Sequence, residues 1–586
     1  MLFYLLTFPF VLALLVMWGA ITLQSILGES VSKLAKSNRG LDIFFCSAWL
    51  GISVVAGLMT VTSQMLPVTL FVGIGILTLP AVLLIFPRYR REVSTLLIMF
   101  YRSRSNWLRF LLTLILLVIP VAYIGSQLIV YFDTAFYHLP VARLIEKYGA
   151  IKGIVLIFLN FGQISSWFVL SAPGTTGGEN GWGAQSASVY LTMLAATQAA
   201  FAITYFATGS KRLSDTIAGV GFVLVILMAT RWGMVASLSP DLPAMFLVVV
   251  VAWFLSLENT KFSTPAILPV AAFAVTIKLS VVPIAIIVVI VAFREWSQNQ
   301  RSLIFSISIA SAIICPYISL SVLTNGCIAF PVAATCLDLP WTPSIEQLTG
   351  QANLIMDAAR GGGHVLPPET SISDALLRWV FRDTSGAIIV VGGLILVASI
   401  LAMKFTRGKI IAINLWPLLL AATGIVYVAI LAPSGRFGGG YTAVLASIFV
   451  FSVIQFSART SNYFRSPLLP SSCAAAFLIV HMTNPGNSVR DIISERVREG
   501  IYQSASSGYL TPKNLIQFDI HQPTSQQAPR WVTKIVDGVL ITIPTHNNEC
   551  WATRPPCFPH ESDANNIKFE LSEGGVLHGM SPKSNE

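Results

Sequence analysis

The sequence predicts an all-α polytopic membrane protein of about fourteen transmembrane segments, followed by a small extracytoplasmic α+β or β-rich domain. Three observations carry this expectation. First, the 586 residues have a mean hydropathy of +0.72, and 11% are charged, whereas soluble domains carry roughly 25%. Second, apolar runs recur as far as residue 481 and then stop. Third, the Lys and Arg residues behind the net charge of +10 sit mostly in short loops between those runs. That placement is a topology signal rather than a nucleic-acid footprint, so no nucleic-acid partner is expected.

The first run, 2–23, has neither a basic n-region nor an A-x-A cleavage site, and reads as a retained helix. The others are 41–65, 68–86, 108–131, 183–208, 216–230, 241–257, 265–277, 281–293, 303–323, 387–403, 410–432, 441–456 and 467–481. Placing the loop of Arg88, Arg90, Arg91, Arg102 and Arg104 in the cytoplasm fixes the others by alternation. Lys33, Lys36 and Arg39, then Lys211 and Arg212, Lys261, Arg294 and Arg301, Lys404, Arg407 and Lys409, and Arg459 and Arg465 fall on that same side. The long polar stretches 132–182, 324–386 and 482–586 fall opposite. The domains are therefore 1–481 in the membrane and 482–586 outside it.

Two stretches could upset the parity. Residues 154–170 are apolar but carry Asn160, Gln163, Ser165 and Ser166, and a following Gly-rich loop without Lys or Arg; they read as re-entrant or interfacial. Residues 265–293 read as two half-length helices meeting near Lys278. Each would cover about 20 Å, leaving the tip within the membrane. In the tail, 534–544 alternates around Asp537-Gly538 as a β-hairpin would, and the final MSPKSNE reads as a disordered end.

Polar chemistry begins in 131–148, YFDTAFYHLPVARLIEKY. Asp133 follows a long apolar run. Pro140 suits a first helical turn, and Val141, Leu144, Ile145 and Tyr148 then recur at helical spacing. Their stripe is expected on the membrane interface, with Arg143, Glu146 and Lys147 towards water. Asp133 is either a solvated helix end or a carboxylate held at headgroup depth, where it could act as a general base. Tyr137 and His138 are either interfacial anchors or contacts to a substrate phosphate and to Asp133.

Other candidates lie farther along. Lys278 is a lone charge in an apolar hairpin; it snorkels, or faces a polar cavity and pairs with a phosphate or with Asp241. Arg436 stands in APSGRFGGGY. It is a solvated charge in a flexible turn, or a bidentate phosphate ligand beside glycines that let a ligand approach. Arg231 and Asp241 bracket an outer loop as an ion pair or as substrate contacts. Cys46, Cys315 and Cys473 lie in apolar runs as core residues. Cys327/Cys336 and Cys550/Cys557 are close pairs on the outer side, where disulfides can form. The histidines lack metal-ligand spacing, so no zinc site is expected.

An aspartate soon after a transmembrane helix, opening the first large outer loop before an amphipathic helix, resembles the GT-C superfamily of glycosyltransferases. These use polyprenyl-phosphate-linked sugars; protein O-mannosyltransferases and lipid A aminoarabinose transferases belong to it. DTAFYHLP at 133–140, SSWF at 165–168, SPDLP at 239–243, IKLS at 277–280, APSGRFGGG at 432–440 and the tail Cys550-Trp551…Cys557 resemble, in that order, a bacterial family of large polytopic proteins with GT-C-like layout. The resemblance implies a base role for Asp133. It also implies a bacterial inner-membrane location, a polyprenyl-phosphate-sugar donor and a glycan, lipid or protein acceptor. No second Asp or Glu lies within two residues of Asp133, so a divalent metal lacks the paired acidic motif, and no other cofactor is expected. The expected function is a membrane glycosyltransferase. Its rivals are a glycan polymerase or ligase, a transporter or flippase of lipid-linked saccharides, and a non-catalytic assembly protein.

Overall fold

The computed structural model describes residues 1–28, 34, 39–102, 107–127, 129, 131, 133–176, 183–207, 210, 212–360, 371, 373, 374, 376, 377, 415–457, 531–536, 539–544, 556–558, 566–571 and 577–583. Outside them lie the expected segments 387–403 and 467–481. Also outside are Lys33, Lys36, Arg104, Lys211, Lys404, Arg407, Lys409, Arg459 and Arg465, together with Cys473 and Cys550.

The long helices are α1 (Leu2–Leu27), α2 (Gly40–Ser63), α3 (Leu70–Leu83), α4 (Pro87–Arg102) and α5 (Trp107–Gly125). After the short α6 (Leu139–Tyr148) and α7 (Ser166–Ser171) come α8 (Ser186–Ala207), α9 (Leu213–Arg231), α10 (Asp241–Leu255), α11 (Thr260–Ile277) and α12 (Val282–Asn325). Then follow α13 (Ile345–Arg360), α14 (Leu415–Leu431) and α15 (Gly435–Ser457). Seven of the described helices are long and apolar enough to cross a membrane, and three shorter ones are apolar. This is a membrane protein by the length and composition of its helices.

Several elements differ from the hydropathy reading for local reasons. The arginine loop after α3 is largely helical. In α4, Val93 and Leu96 are buried while Arg90 and Arg91 are exposed, so its apolar face packs inward. Helix α11 starts five residues before the expected 265 because Asn259 caps it, its side chain accepting from the Lys261 amide. At 18 residues it is not half-length: it rises about 27 Å, so the segment before Lys278 need not end inside a membrane. The expected runs 281–293 and 303–323 are the two halves of α12, which meet at Asn299 with non-helical φ −133° and ψ 28°. Glu295 and Ser306, on either side of Asn299, both bond to the first turns of α11, at Thr260 and Pro265. The chain therefore folds back there.

Residues 154–175 form short pieces: 3-10 turns Ile154–Leu156, Leu159–Gly162 and Ala172–Thr175, with α7 between. None is long enough to cross a bilayer, which agrees with reading this stretch as something other than a span. Two long helices fasten it. The Ser165 hydroxyl donates to the Ile277 carbonyl (3.0 Å), and Ser166 pairs with Thr276 (2.6 Å) at the end of α11. Asn325, at the end of α12, donates to the Gly162 carbonyl (2.8 Å).

Helix α6 does not lie open on an interface. Leu139 through Ile145 are buried, and Arg143 is only 6% exposed rather than facing water. The 154–176 stretch covers the face expected to be solvated; Thr176, for example, donates to Glu146 (3.0 Å).

The tail holds two hairpins. β1 (Trp531–Val536) pairs antiparallel with β2 (Val539–Pro544) in the register expected for a two-residue turn at 537–538, and β3 (Ile567–Leu571) pairs with β4 (Leu577–Pro582). Met580, Ser581 and Pro582, expected in a disordered end, belong to β4 and pair with Phe569, Lys568 and Ile567. Lys152 fixes the tail to the membrane domain. It makes an ion pair with Glu570, accepts the Met580 amide (2.9 Å) and lies over the Trp341 ring. Gly153 has φ +71°, and a Cβ there would lie 2.7 Å from the Met580 carbonyl oxygen. A side chain at this position is strained and also pushes the tail away. Gly153→Ala is accordingly expected to release the tail to protease several-fold faster in detergent solution; cleavage at the wild-type rate would show that this junction does not hold it.

Candidate functional site

The site starts with Tyr131 and Asp133. The Tyr131 carbonyl accepts from the Thr134 amide (3.0 Å), and Thr134–His138 forms a single π-helical turn before α6. Such turns often accompany functional positions. Asp133 lies at its N-terminal edge and meets Arg436, 303 residues away: Arg436 Nη1 to Asp133 Oδ2 is 3.0 Å. The same Nη1 donates to the Tyr131 hydroxyl (2.8 Å), which in turn donates to Asp241 Oδ2 (3.1 Å).

Asp241 is the buried anchor, 3% exposed at the first position of α10. Lys278 pairs with its Oδ1, Arg436 Nε stands 3.8 Å from its Oδ2, and the Ser239 hydroxyl bonds to it from SPDLP. Lys278 sits in extended backbone between α11 and α12 and is 25% exposed. The Phe437 ring supports both cations, 3.9 Å from Lys278 Nζ and 5.0 Å from the Arg436 guanidinium carbon. Two carboxylates and two cations thus form one connected, charge-balanced group.

The glycines after Arg436 serve a different purpose from the one expected. A Cβ at Gly439 would lie 2.7 Å from the Met245 sulfur, and one at Gly440 2.7 Å from the Met245 carbonyl oxygen. They let α15 pack closely against α10, as small residues do between membrane helices. That contact, rather than ligand approach, brings Arg436 beside Asp241. Arg231 is exposed at the end of α9, and the ion partners of Asp241 are Lys278 and Arg436.

His138 is 1% exposed, edge-on to Tyr137 (ring centroids 4.2 Å) and tilted against Phe168 (5.1 Å). Its Nδ1 is 3.4 Å from the Thr134 hydroxyl, and its Nε2 has no hydrogen-bond partner among the described residues. Burial pushes the imidazole down to about 3, so it is neutral at physiological pH. Burial also raises the Tyr137 phenol well above its ordinary range, keeping it a donor, and it points to Gln163 Oε1 at 3.5 Å.

The sequence reading gives Tyr131, Ser239 and Phe437 no roles, although each lies within two residues of a residue it singles out. Cys327 and Cys336 form a disulfide. Cys557 is disulfide-bonded as well; Cys550 lies outside the described residues. Among the described residues, no three His, Cys, Asp or Glu side chains are grouped to hold a metal ion.

Removing one member of a buried ion pair strands the other. Lys278→Met is expected to destabilise the protein by roughly 3–5 kcal/mol, and adding Asp241→Asn should restore much of that; thermal midpoints in detergent compare the two variants. His138 makes a second test. Its folded pKa, about 3, lies below the ordinary 6.5, so the unfolded chain binds the extra proton and stability falls as pH drops through that window. About 2 kcal/mol should be lost between pH 6.5 and pH 5, and His138→Phe should flatten that slope in a pH series of melting curves.

A family model described as a domain of unknown function, DUF8201, matches residues 1–443. This stretch includes every member of the charged group and ends before the tail hairpins. No curated protein and no solved structure matches the chain.

Proposed function

The chain belongs to the DUF8201 family, and we propose that it is a membrane glycosyltransferase moving a sugar from a polyprenyl-phosphate-linked donor to an acceptor outside the cytoplasm. The observation that supports this most is the contact of Asp133 with Arg436, within a group that also contains Asp241 and Lys278. A base and a phosphate-binding cation must lie within one sugar's length of each other for this chemistry, and these two touch. The proposed location is a bacterial inner membrane, with this end of the bundle and the tail on the extracytoplasmic side. The basic loops support that orientation: Arg39 and Arg212 meet through Asp42 and Asp215 in a separate cluster that includes Glu258.

In the proposed reaction the donor phosphate takes up the Arg436 guanidinium, with Lys278 nearby, and frees the Asp133 carboxylate. The acceptor hydroxyl gives its proton to Asp133 as its oxygen bonds to the anomeric carbon. The bond from that carbon to the phosphate oxygen breaks, and polyprenyl phosphate leaves paired with the cations. A single displacement inverts the anomeric centre.

One observation favours a second reading. Four charged side chains clustered among apolar helices also suit an ion or substrate pathway, so a transporter of lipid-linked saccharides is the second reading. Asp133→Asn separates the two. A glycosyltransferase should lose about 10²–10⁴-fold of its transfer rate in detergent, at normal protein level. A transporter should instead lose saccharide movement across proteoliposomes while having no transfer to lose. Undiminished transfer by the variant would remove Asp133 from the reaction.

A further inference from the structure

Beside the charged group lies a second polar surface with different chemistry. Asn160 and Gln163 come from the 154–163 stretch and Gln351 from α13. Gln163 Nε2 donates to Asn160 Oδ1 (3.0 Å), Gln351 Nε2 donates to the same oxygen, and Tyr137 donates to Gln163. This chain of amides runs from α13 to the residue four positions after Asp133. Phe158, two residues before Asn160, packs edge-to-face with Phe136 at 4.8 Å and with Phe161 at 5.7 Å.

The surface is built rather than incidental. Its parts come from three distant stretches, and they are clamped together. Asn325 holds the Gly162 carbonyl (2.8 Å), and Phe330 packs on Gly162. Cys327, Phe330, Leu348 and Val155 form a small core of their own, beside the Cys327–Cys336 disulfide. Asn160 Oδ1 is used twice, which leaves the Asn160 amide NH₂ and the carbonyl oxygen of Gln351, a residue 5% exposed overall. Neither has a hydrogen-bond partner among the described residues, and neither is sealed from solvent. Asn160, Phe158 and Gln163 are themselves half-buried.

Three uncharged amides offering both donors and acceptors, with an aromatic residue two positions before Asn160, match a neutral polyhydroxylated ligand. Hydroxyls bond to amides in either direction, and the C–H face of a sugar ring lies on an aromatic ring. Asn160, Gln163, Gln351 and Phe158 themselves carry no charge to meet an anion, whereas the cations Arg436 and Lys278 belong to the neighbouring charged group. We propose that Asn160, Gln163, Gln351 and Phe158 form the acceptor subsite, and that the acceptor presents an uncharged saccharide to Asp133. This rests on the glycosyltransferase reading for the word acceptor, but the binding of a neutral saccharide does not.

Saturation-transfer NMR on the full chain in nanodiscs tests it, with mannotriose, maltotriose and chitotriose as probes and trigalacturonate as the anionic control. At least one neutral trisaccharide should show ring-proton transfer, and the control should not. Gln351→Met and Asn160→Leu should each weaken that signal about three- to tenfold, the loss expected from one or two hydrogen bonds. Melting curves identify a variant that is simply misfolded, in which case Phe158→Ala, which leaves the amides in place, takes its place and should weaken binding likewise. No contact with any neutral trisaccharide, equal contact with trigalacturonate, or undiminished contact in folded amide variants would each overturn the subsite. If a neutral saccharide binds but transfer is independent of Asp133, the subsite stands and the transferase reading fails. Transfer that depends on Asp133 without neutral-saccharide contact keeps the transferase reading and discards the subsite.

Discussion

The carboxylate of Asp241 is the constraint on which this architecture turns. An ionised group 3% exposed among apolar helices carries a desolvation cost of several kcal/mol unless cations and hydrogen bonds meet it. Lys278 meets it from the junction of α11 and α12, Arg436 from the start of α15, and Tyr131 and Ser239 complete its hydrogen bonding. Each partner dictates something larger. Lys278 requires α11 to end where it does. Arg436 requires α15 to sit against α10, which only residues as small as Gly439 and Gly440 permit. Tyr131 requires the chain leaving α5 to pass beside α10, and this places Asp133 within reach of Arg436.

Much of the helical layout is legible from hydropathy, because a span is a local property: some twenty apolar residues declare themselves wherever they are. The 534–544 hairpin is legible for the same reason, through its turn and alternation. What hydropathy does not register are contacts that override local character. Arg143 looks solvated in its own helix, yet tertiary packing leaves it only 6% exposed. The start of α11 escapes hydropathy because one capping Asn259 extends a helix through residues too polar to count as a span. The glycines after Arg436 look like a ligand loop because nothing local reveals that Met245 lies against them.

The candidate site divides in the same way. Asp133, Asp241, Lys278 and Arg436 each stand out as a charge beside or within apolar sequence, which is costly unless matched. That cost makes them visible one at a time. Which charge matches which depends on helix packing across hundreds of residues, and no spacing in the chain encodes it. Tyr131 and Phe437 stay inconspicuous because an aromatic residue at a helix end is ordinary there; only the two cations over one ring give Phe437 a distinct place.

The contact between Lys152 and the tail also has a consequence for the order of events during synthesis. Lys152 and Glu570 are 418 residues apart, so at usual translation rates the first waits on the order of 20–80 s for the second to be made. During that interval the stretch just after α6 has no strand beside it. The surface around Lys152 therefore reaches its final form only after the tail has been made. A nascent chain stalled before the tail would hold all the charges of the group and still leave Lys152 without its partners in the tail.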